Sequence, residues 1–252
     1  MTPATNPAAT AVASLLAAAA LLAACDRQPA KRADRAGPAE QGTAGAGAAD
    51  GARADAPAPS PQPSPQPSLV FLGDSLTAGF GLAADQSYPA LLQGEADRAG
   101  LHLRVVNAGR SGDTTAGGAS RVSYYLRPEV APRGLVVWLG ANDIMRGLPV
   151  DQIEKNLRDL IGKAHAFDPA LPVYLVQMRA FPNLGADYAR SFEAIYPRVA
   201  KSENATLVPF PMDDVAGHPD LNQPDGIHPT AEGTVRVAAS LWKALGPHLA
   251  AR

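Results

Sequence analysis

The chain has a single cysteine, Cys25, among its 252 residues. A structural disulfide within the chain is therefore excluded, and so is a cysteine-based metal site. Charge of either sign is not in excess. Lys and Arg number 22 against 24 Asp and Glu, a formal net charge of -2. No basic footprint for nucleic acid and no polybasic patch for anionic lipid follow from that balance. A long apolar run occurs only near the N-terminus. Asp26 to Pro67 contains no Val, Ile, Leu, Met, Phe, Tyr or Trp at all. Such a segment cannot bury enough apolar surface to offset its ordering entropy. It ends in Pro61-Gln62-Pro63-Ser64-Pro65-Gln66-Pro67, a composition that favours polyproline-type structure. Residues 26–67 are therefore expected to form a disordered tether.

The whole chain is 46% hydrophobic and 18% charged, the balance of one globular domain plus extra material. Ser68 to Arg252 suits a single core. Five short apolar runs lie in it: Leu69–Leu72, Leu103–Val106, Leu135–Leu139, Val173–Gln177 and Thr206–Pro209. Helical patterns alternate with them, over Tyr88–Ala99, Ala116–Leu126, Val150–Ala166, Asp187–Ser202 and Pro229–Leu245. Near-continuous apolar strands between helices predict a parallel sheet covered on both faces. The expectation is a three-layer α/β/α sandwich around a five-stranded parallel sheet. In such folds the chemistry gathers at the carboxyl ends of the strands. Small polar clusters fall there: Gly73-Asp74-Ser75, Ser111-Gly112-Asp113 and Gly140-Ala141-Asn142-Asp143.

The first cluster places Ser75 where an apolar strand stops abruptly, the position of a nucleophile held at a sheet edge. A serine hydroxyl needs a base. His228 is the candidate, and Asp225, three residues earlier, can orient its imidazole. Pro229 is then expected to start the last helix. Among the five histidines, His102, His165 and His248 read as surface residues. His218 is the competitor, but it lacks an Asp at the same spacing. Donors for a developing oxyanion are the Ser75 N–H, the Gly112 N–H and the Asn142 side-chain amide. Asp74 and Asp143 read as turn-formers that bond backbone.

Taken together these blocks resemble the SGNH, or GDSL, hydrolase family. Its serine, glycine, asparagine and histidine map onto Ser75, Gly112, Asn142 and His228, in order across the folded domain. Further stretches are similar to the periplasmic thioesterase, lysophospholipase and arylesterase branch: Tyr88-Pro89-Ala90-Leu91-Leu92, Val106-Asn107-Ala108, Ser111-Gly112-Asp113-Thr114, Arg146-Gly147 and Ala194-Ile195-Tyr196-Pro197. The resemblance implies a flavodoxin-like fold and a serine esterase with a Ser75–His228–Asp225 triad. It implies no metal or cofactor. In that branch the loop after the fourth strand borders the acyl pocket, here Met178 to Tyr188 with Phe181, Pro182, Leu184 and Tyr188. The substrate expected is a small-molecule or lipid ester. An acyltransferase, a carbohydrate deacetylase and a binding lipoprotein that keeps the fold without catalysis are the alternatives. Nothing suggests an obligate interface, so a monomer is expected.

Met1 to Cys25 reads as a targeting segment, with Ala11 to Ala24 about as long as a signal h-region and short for a membrane span. Leu22-Ala23-Ala24-Cys25 resembles the lipobox of bacterial lipoproteins. Lipidated Cys25 would then hold the domain at the periplasmic face of a membrane. Met1 to Thr10 departs from the usual pattern in having no Lys or Arg. The alternative is an Ala-rich signal cut by the ordinary peptidase, leaving a soluble periplasmic protein.

Overall fold

The computed structural model describes residues 65–251, apart from the Pro182 side chain. Cys25, the targeting segment and most of the tether lie outside the described residues. At the tether's end the Pro67 carbonyl already accepts from the Arg104 N–H at 2.8 Å.

Five strands form one parallel sheet: β1 (Ser68–Gly73), β2 (Arg104–Gly109), β3 (Pro132–Trp138), β4 (Val173–Val176) and β5 (Thr206–Val208). Their order is β2-β1-β3-β4-β5. All β1 residues are buried, as are the last five of β3. Both strands are central, which is why their sequences are apolar without alternation. β2 and β5 are edges and read more mixed.

Eight helices accompany the described strands: α1 (Ser75–Ala78), α2 (Tyr88–Arg98), α3 (Thr115–Arg121), α4 (Ala141–Met145), α5 (Val150–Phe167), α6 (Ala186–Glu193), α7 (Ile195–Ser202) and α8 (Ala231–Ala250). Successive side chains of β1 point to opposite faces. Leu69 and Phe71 pack among Leu92 and Ala96 of α2 and Trp242 and Leu245 of α8. Leu72 turns the other way, toward Gly118 of α3 and Leu160 of α5. The α/β/α layering read from the sequence is therefore present.

Three helix expectations need correcting. The pattern over Asp187–Ser202 is two helices, broken at Ala194. Pro197 has no N–H to offer the Glu193 carbonyl four residues back. The Gln177 side chain donates to that carbonyl instead, at 3.1 Å. Pro229 does not start the last helix. It bridges to Asn222, and Thr230 caps α8 by accepting from the Gly233 N–H at 3.2 Å. α3 ends at Arg121 and continues only as a tighter turn over Val122–Tyr124.

The strand order reverses between β1 and β3, since the chain leaves β1 for β2 on one side and returns to β3 on the other. A crevice opens at the carboxyl ends of strands at such a point. Ser75 follows β1 and Asn142 follows β3, so both flank it.

Candidate active site

Asp74 stops β1 and starts α1. Its Oδ1 accepts from the Leu76 N–H at 3.0 Å, which caps the short helix. Ser75 is the first residue of that helix. Its own N–H is thereby one of the orphan donors of a first turn.

Asp225 shapes the opposing loop. Its Oδ1 accepts from the N–H groups of Ile227 at 2.9 Å and His228 at 3.0 Å. Its Oδ2 lies 2.7 Å from His228 Nδ1. The three-residue spacing lets one carboxylate fold the loop and hold the ring. A carboxylate can only accept, so Nδ1 carries the proton and donates. Nε2 is then left as an acceptor, and it lies 2.8 Å from Ser75 Oγ. The donated bonds, first the His228 N–H and then its ring, hold the Asp225 carboxyl down at about 2. It stays ionised throughout the working range. The competing His218 is exposed and sits in the turn that its N–H closes onto the Val215 carbonyl.

Asn142 lies in the first turn of α4, buried, and donates through Nδ2 to Asp74 Oδ2 at 3.3 Å. Gly140 precedes it with φ +127, a conformation suited to glycine. A Cβ there would sit 2.1 Å from the Tyr196 hydroxyl, which donates to the Leu139 carbonyl. Gly112 also needs its freedom, with φ +77, and its carbonyl accepts from Arg146 Nη2 at 2.7 Å. Asp143 is fully buried and accepts from the Thr115 N–H and hydroxyl at 2.9 and 2.5 Å. Both motif aspartates thus bond backbone, as expected of turn-formers.

Arg121 was not singled out from the sequence, yet it ties three parts of the site together. Its guanidinium pairs with Asp113 at 2.6 Å and donates to the carbonyls of Ala108 and Gly73 at 2.7 and 2.9 Å. The ends of β1 and β2 and the Gly112 loop are held by one side chain. The only sequence signal was a basic residue in an otherwise small-residue helix.

Burial pushes the Asp74 carboxyl up to about 6, with the Leu76 N–H opposing the rise. The folded protein therefore holds this proton more tightly than the unfolded chain does. The stability it contributes is full below about 4 and is lost as pH rises through about 6. A rise from about 4 to about 6 corresponds to about 3 kcal/mol. Asp74→Asn should gain on the wild type by that order as pH rises from about 4 to about 8. Denaturant unfolding at several pH values checks it; a difference constant with pH would contradict it.

Beside the Ser–His pair lies a cavity of about 590 Å³. Leu76, Ala141, Gly226 and Ile227 line its near side, each a chain neighbour of a residue just described. Met178, Phe181, Phe210 and Met212 give it apolar walls, with Arg179, Glu193 and Asp213 also lining it. Phe181 comes from the loop after β4. Leu184 and Tyr188 are not in the lining, and this corrects the sequence reading. Leu184 packs on the core, and Tyr188 turns its hydroxyl to the Leu148 carbonyl at 3.0 Å. The Pro182 side chain lies outside the described residues. Phe210, Met212 and Ile227 come from other loops and carried no signal of their own.

A parallel sheet with this cluster at its switch point is the arrangement of an SGNH-type hydrolase. The GDSL-like Lipase/Acylhydrolase family model matches residues 71–235, and the chain belongs to that family. Esterase TesA of Pseudomonas aeruginosa is 38% identical over 182 residues, 72% of this chain and 89% of its own. Thioesterase 1/protease 1/lysophospholipase L1 of Escherichia coli K12 is 39% identical over 180 residues, 71% of this chain and 84% of its own. The crystal structure of the psychrotrophic esterase EstA from Pseudoalteromonas sp., inhibited by monoethylphosphonate, superposes with a TM-score of 0.68. It is 30% identical, over 72% of this chain and 98% of that one. The branch anticipated from the sequence is therefore the right one. No helix among the described residues is long and apolar enough to cross a membrane.

Proposed function

We propose that the chain is a serine esterase that cleaves carboxylic esters or thioesters through an acyl-enzyme on Ser75. The observation that carries this reading is the unbroken line from Asp225 through His228 to Ser75 Oγ, with links of 2.7 and 2.8 Å. His228 Nε2 takes the Ser75 proton as Oγ attacks the ester carbonyl. Asp225 holds the imidazole in the tautomer this requires and offsets the charge it gains. The Ser75 N–H, the Gly112 N–H and the Asn142 amide receive the oxyanion. His228 then gives its proton to the departing alcohol or thiol. Water, deprotonated by the same nitrogen, attacks the acyl carbon, releases the acid and restores Ser75.

The apolar walls of the cavity favour an acyl chain over a sugar, which supports hydrolysis of acyl esters rather than carbohydrate deacetylation. The thioesterase and lysophospholipase named among the relatives extend the candidate substrates to thioesters and lysophospholipids. The chain's first 25 residues we read as a lipoprotein-type signal, and Cys25 as the anchor of a tethered catalytic domain facing the periplasm.

Hydrolysis of p-nitrophenyl esters from acetate to palmitate by the full chain tests the activity. A cavity of this volume should give a rate that peaks at short or medium acyl length and falls for the longest. Folded protein with no turnover at any length would overturn the esterase reading. Acyl products found on an added alcohol acceptor instead of as free acid would turn it toward acyl transfer.

A further inference from the structure

Resting on the serine-esterase reading, we propose that the Glu193 carboxylate in the wall of the acyl cavity is a specificity-determining group, and that it selects acyl chains carrying an ammonium group. Three charged side chains line the cavity: Arg179, Glu193 and Asp213. Two of them satisfy each other. Arg179 Nη2 lies 2.9 Å from Asp213 Oδ1, and its guanidinium carbon stands 5.6 Å from the centre of the Phe210 ring. Glu193 is left over. Among the described residues no cation pairs with it, and its carboxylate takes one hydrogen bond, from the Ala180 N–H to Oε1 at 3.1 Å. The other oxygen, Oε2, has no donor among them. The lining therefore carries one negative charge in excess, between walls that are otherwise apolar. A charge in such surroundings is costly unless it is paired. A cation on the substrate offsets that cost, and a purely apolar acyl chain cannot.

Glu193 is held in the wall and is half-buried there. It is the last residue of α6, and its carbonyl accepts from Gln177 Nε2 at 3.1 Å. The same nitrogen donates to the Met178 carbonyl at 2.7 Å. Backbone and Oε1 are thus both tied to the chain that leaves β4, which gives Oε2 a set direction. To close that loop the side chain needs only an acceptor for the Ala180 N–H, and an amide would supply one. The charge is what the loop does not use. An acyl chain ending in an ammonium group fits both features of the cavity. Its methylene stem packs on Met178 and Phe181 while its head reaches a carboxylate. Charge-assisted bonds of this kind are about twice as strong as neutral ones.

p-Nitrophenyl 6-aminohexanoate and heptanoate have acyl chains of equal length that end in an ammonium and a methyl group. The 8-aminooctanoate and nonanoate esters form a longer pair. With the spontaneous rate subtracted, the full chain should hydrolyse at least one ammonium ester with a kcat/KM no lower than that of its methyl partner. Glu193→Gln keeps an acceptor for the Ala180 N–H and removes the charge. It should lower the ammonium-to-methyl ratio of kcat/KM about tenfold in that pair, the loss of one charge-assisted hydrogen bond. Equal losses on both esters would show that Glu193 acts only by holding the loop after β4, and would overturn the proposal. So would an unchanged ratio, or a wild type that turns over neither ammonium ester. A melting temperature taken alongside separates these outcomes from misfolding. The wild type offers a second test that needs no variant. Raising salt from about 0.05 to about 0.5 M should lower the same ratio about threefold, because the pair is only partly shielded from solvent. A ratio that ignores salt would count against the carboxylate. Ser75→Ala on the methyl esters tests the underlying reading separately. Activity retained there would remove the serine mechanism whatever Glu193 does.

Discussion

Ser75→Ala should lower ester hydrolysis by on the order of 10⁴- to 10⁶-fold and leave the fold in place. Ser75 Oγ bonds His228 Nε2, in a half-exposed position at the crevice. Its loss removes no core packing and leaves the His228 ring still held by Asp225 at 2.7 Å. The melting temperature should therefore shift by no more than a few degrees, the size expected of a change below about 1 kcal/mol. The sharper form of the test is a double variant. A nucleophile and its base act as one unit, so adding His228→Ala to Ser75→Ala should slow the residual reaction hardly at all. Losses that multiplied across the two variants would mean that Ser75 and His228 serve different steps, and the proposed triad would fall. The same serine would carry the acyl group in hydrolysis and in transfer to an acceptor. The variant thus tests the nucleophile, while the identity of the acyl product decides between those two reactions.

The sheet was legible because its central strands are apolar on both faces. Leu69–Leu72 and Leu135–Leu139 have no polar side chain to turn outward, and they are buried throughout. The site was legible for a related reason. Residues that must stand at strand ends are clustered with small neighbours, and Asp225 and His228 sit close enough to form one loop. What escaped is what periodicity cannot report. α1 and α4 span only 4 and 5 residues, less than two turns, and no amphipathic repeat fits in that length. The break at Ala194 needed the Pro197 effect to be weighed against a strong apolar stripe, and the stripe continues on both sides of it. The role of Arg121 depends on backbone carbonyls up to 48 residues away, to which sequence spacing gives no guide. The cavity wall failed in part for the same cause. The loop after β4 supplies Phe181 but lays Leu184 and Tyr188, half-buried, against the core away from the cavity, and Phe210, Met212 and Ile227 take their places.

Asn142→Ala should lower kcat roughly 100- to 1000-fold with little change in KM, the pattern of a donor that matters only once charge has developed on the carbonyl oxygen. The side-chain amide has two N–H groups. One is committed to Asp74 Oδ2 at 3.3 Å, and that bond fixes the plane of the amide so that the other has a set direction. Asp74 is itself anchored by the Leu76 N–H, the residue after the nucleophile. The Asn142 amide at the end of β3 and the Ser75 turn at the end of β1 are therefore joined through one buried carboxyl group. Removing the amide has a second consequence in the folded protein. Asp74, only 2% exposed, loses a donor while its burial is unchanged, so its carboxyl should move above the value of about 6 it now has. Stability should fall by about 1–3 kcal/mol, more at pH 8 than at pH 5, because the charged form is the one left with fewer partners. Steady-state kinetics and unfolding at the two pH values read both effects from one variant. A rise in KM with kcat unchanged would instead make Asn142 a ground-state binding residue. It would leave the Ser75 and Gly112 N–H groups as the oxyanion donors.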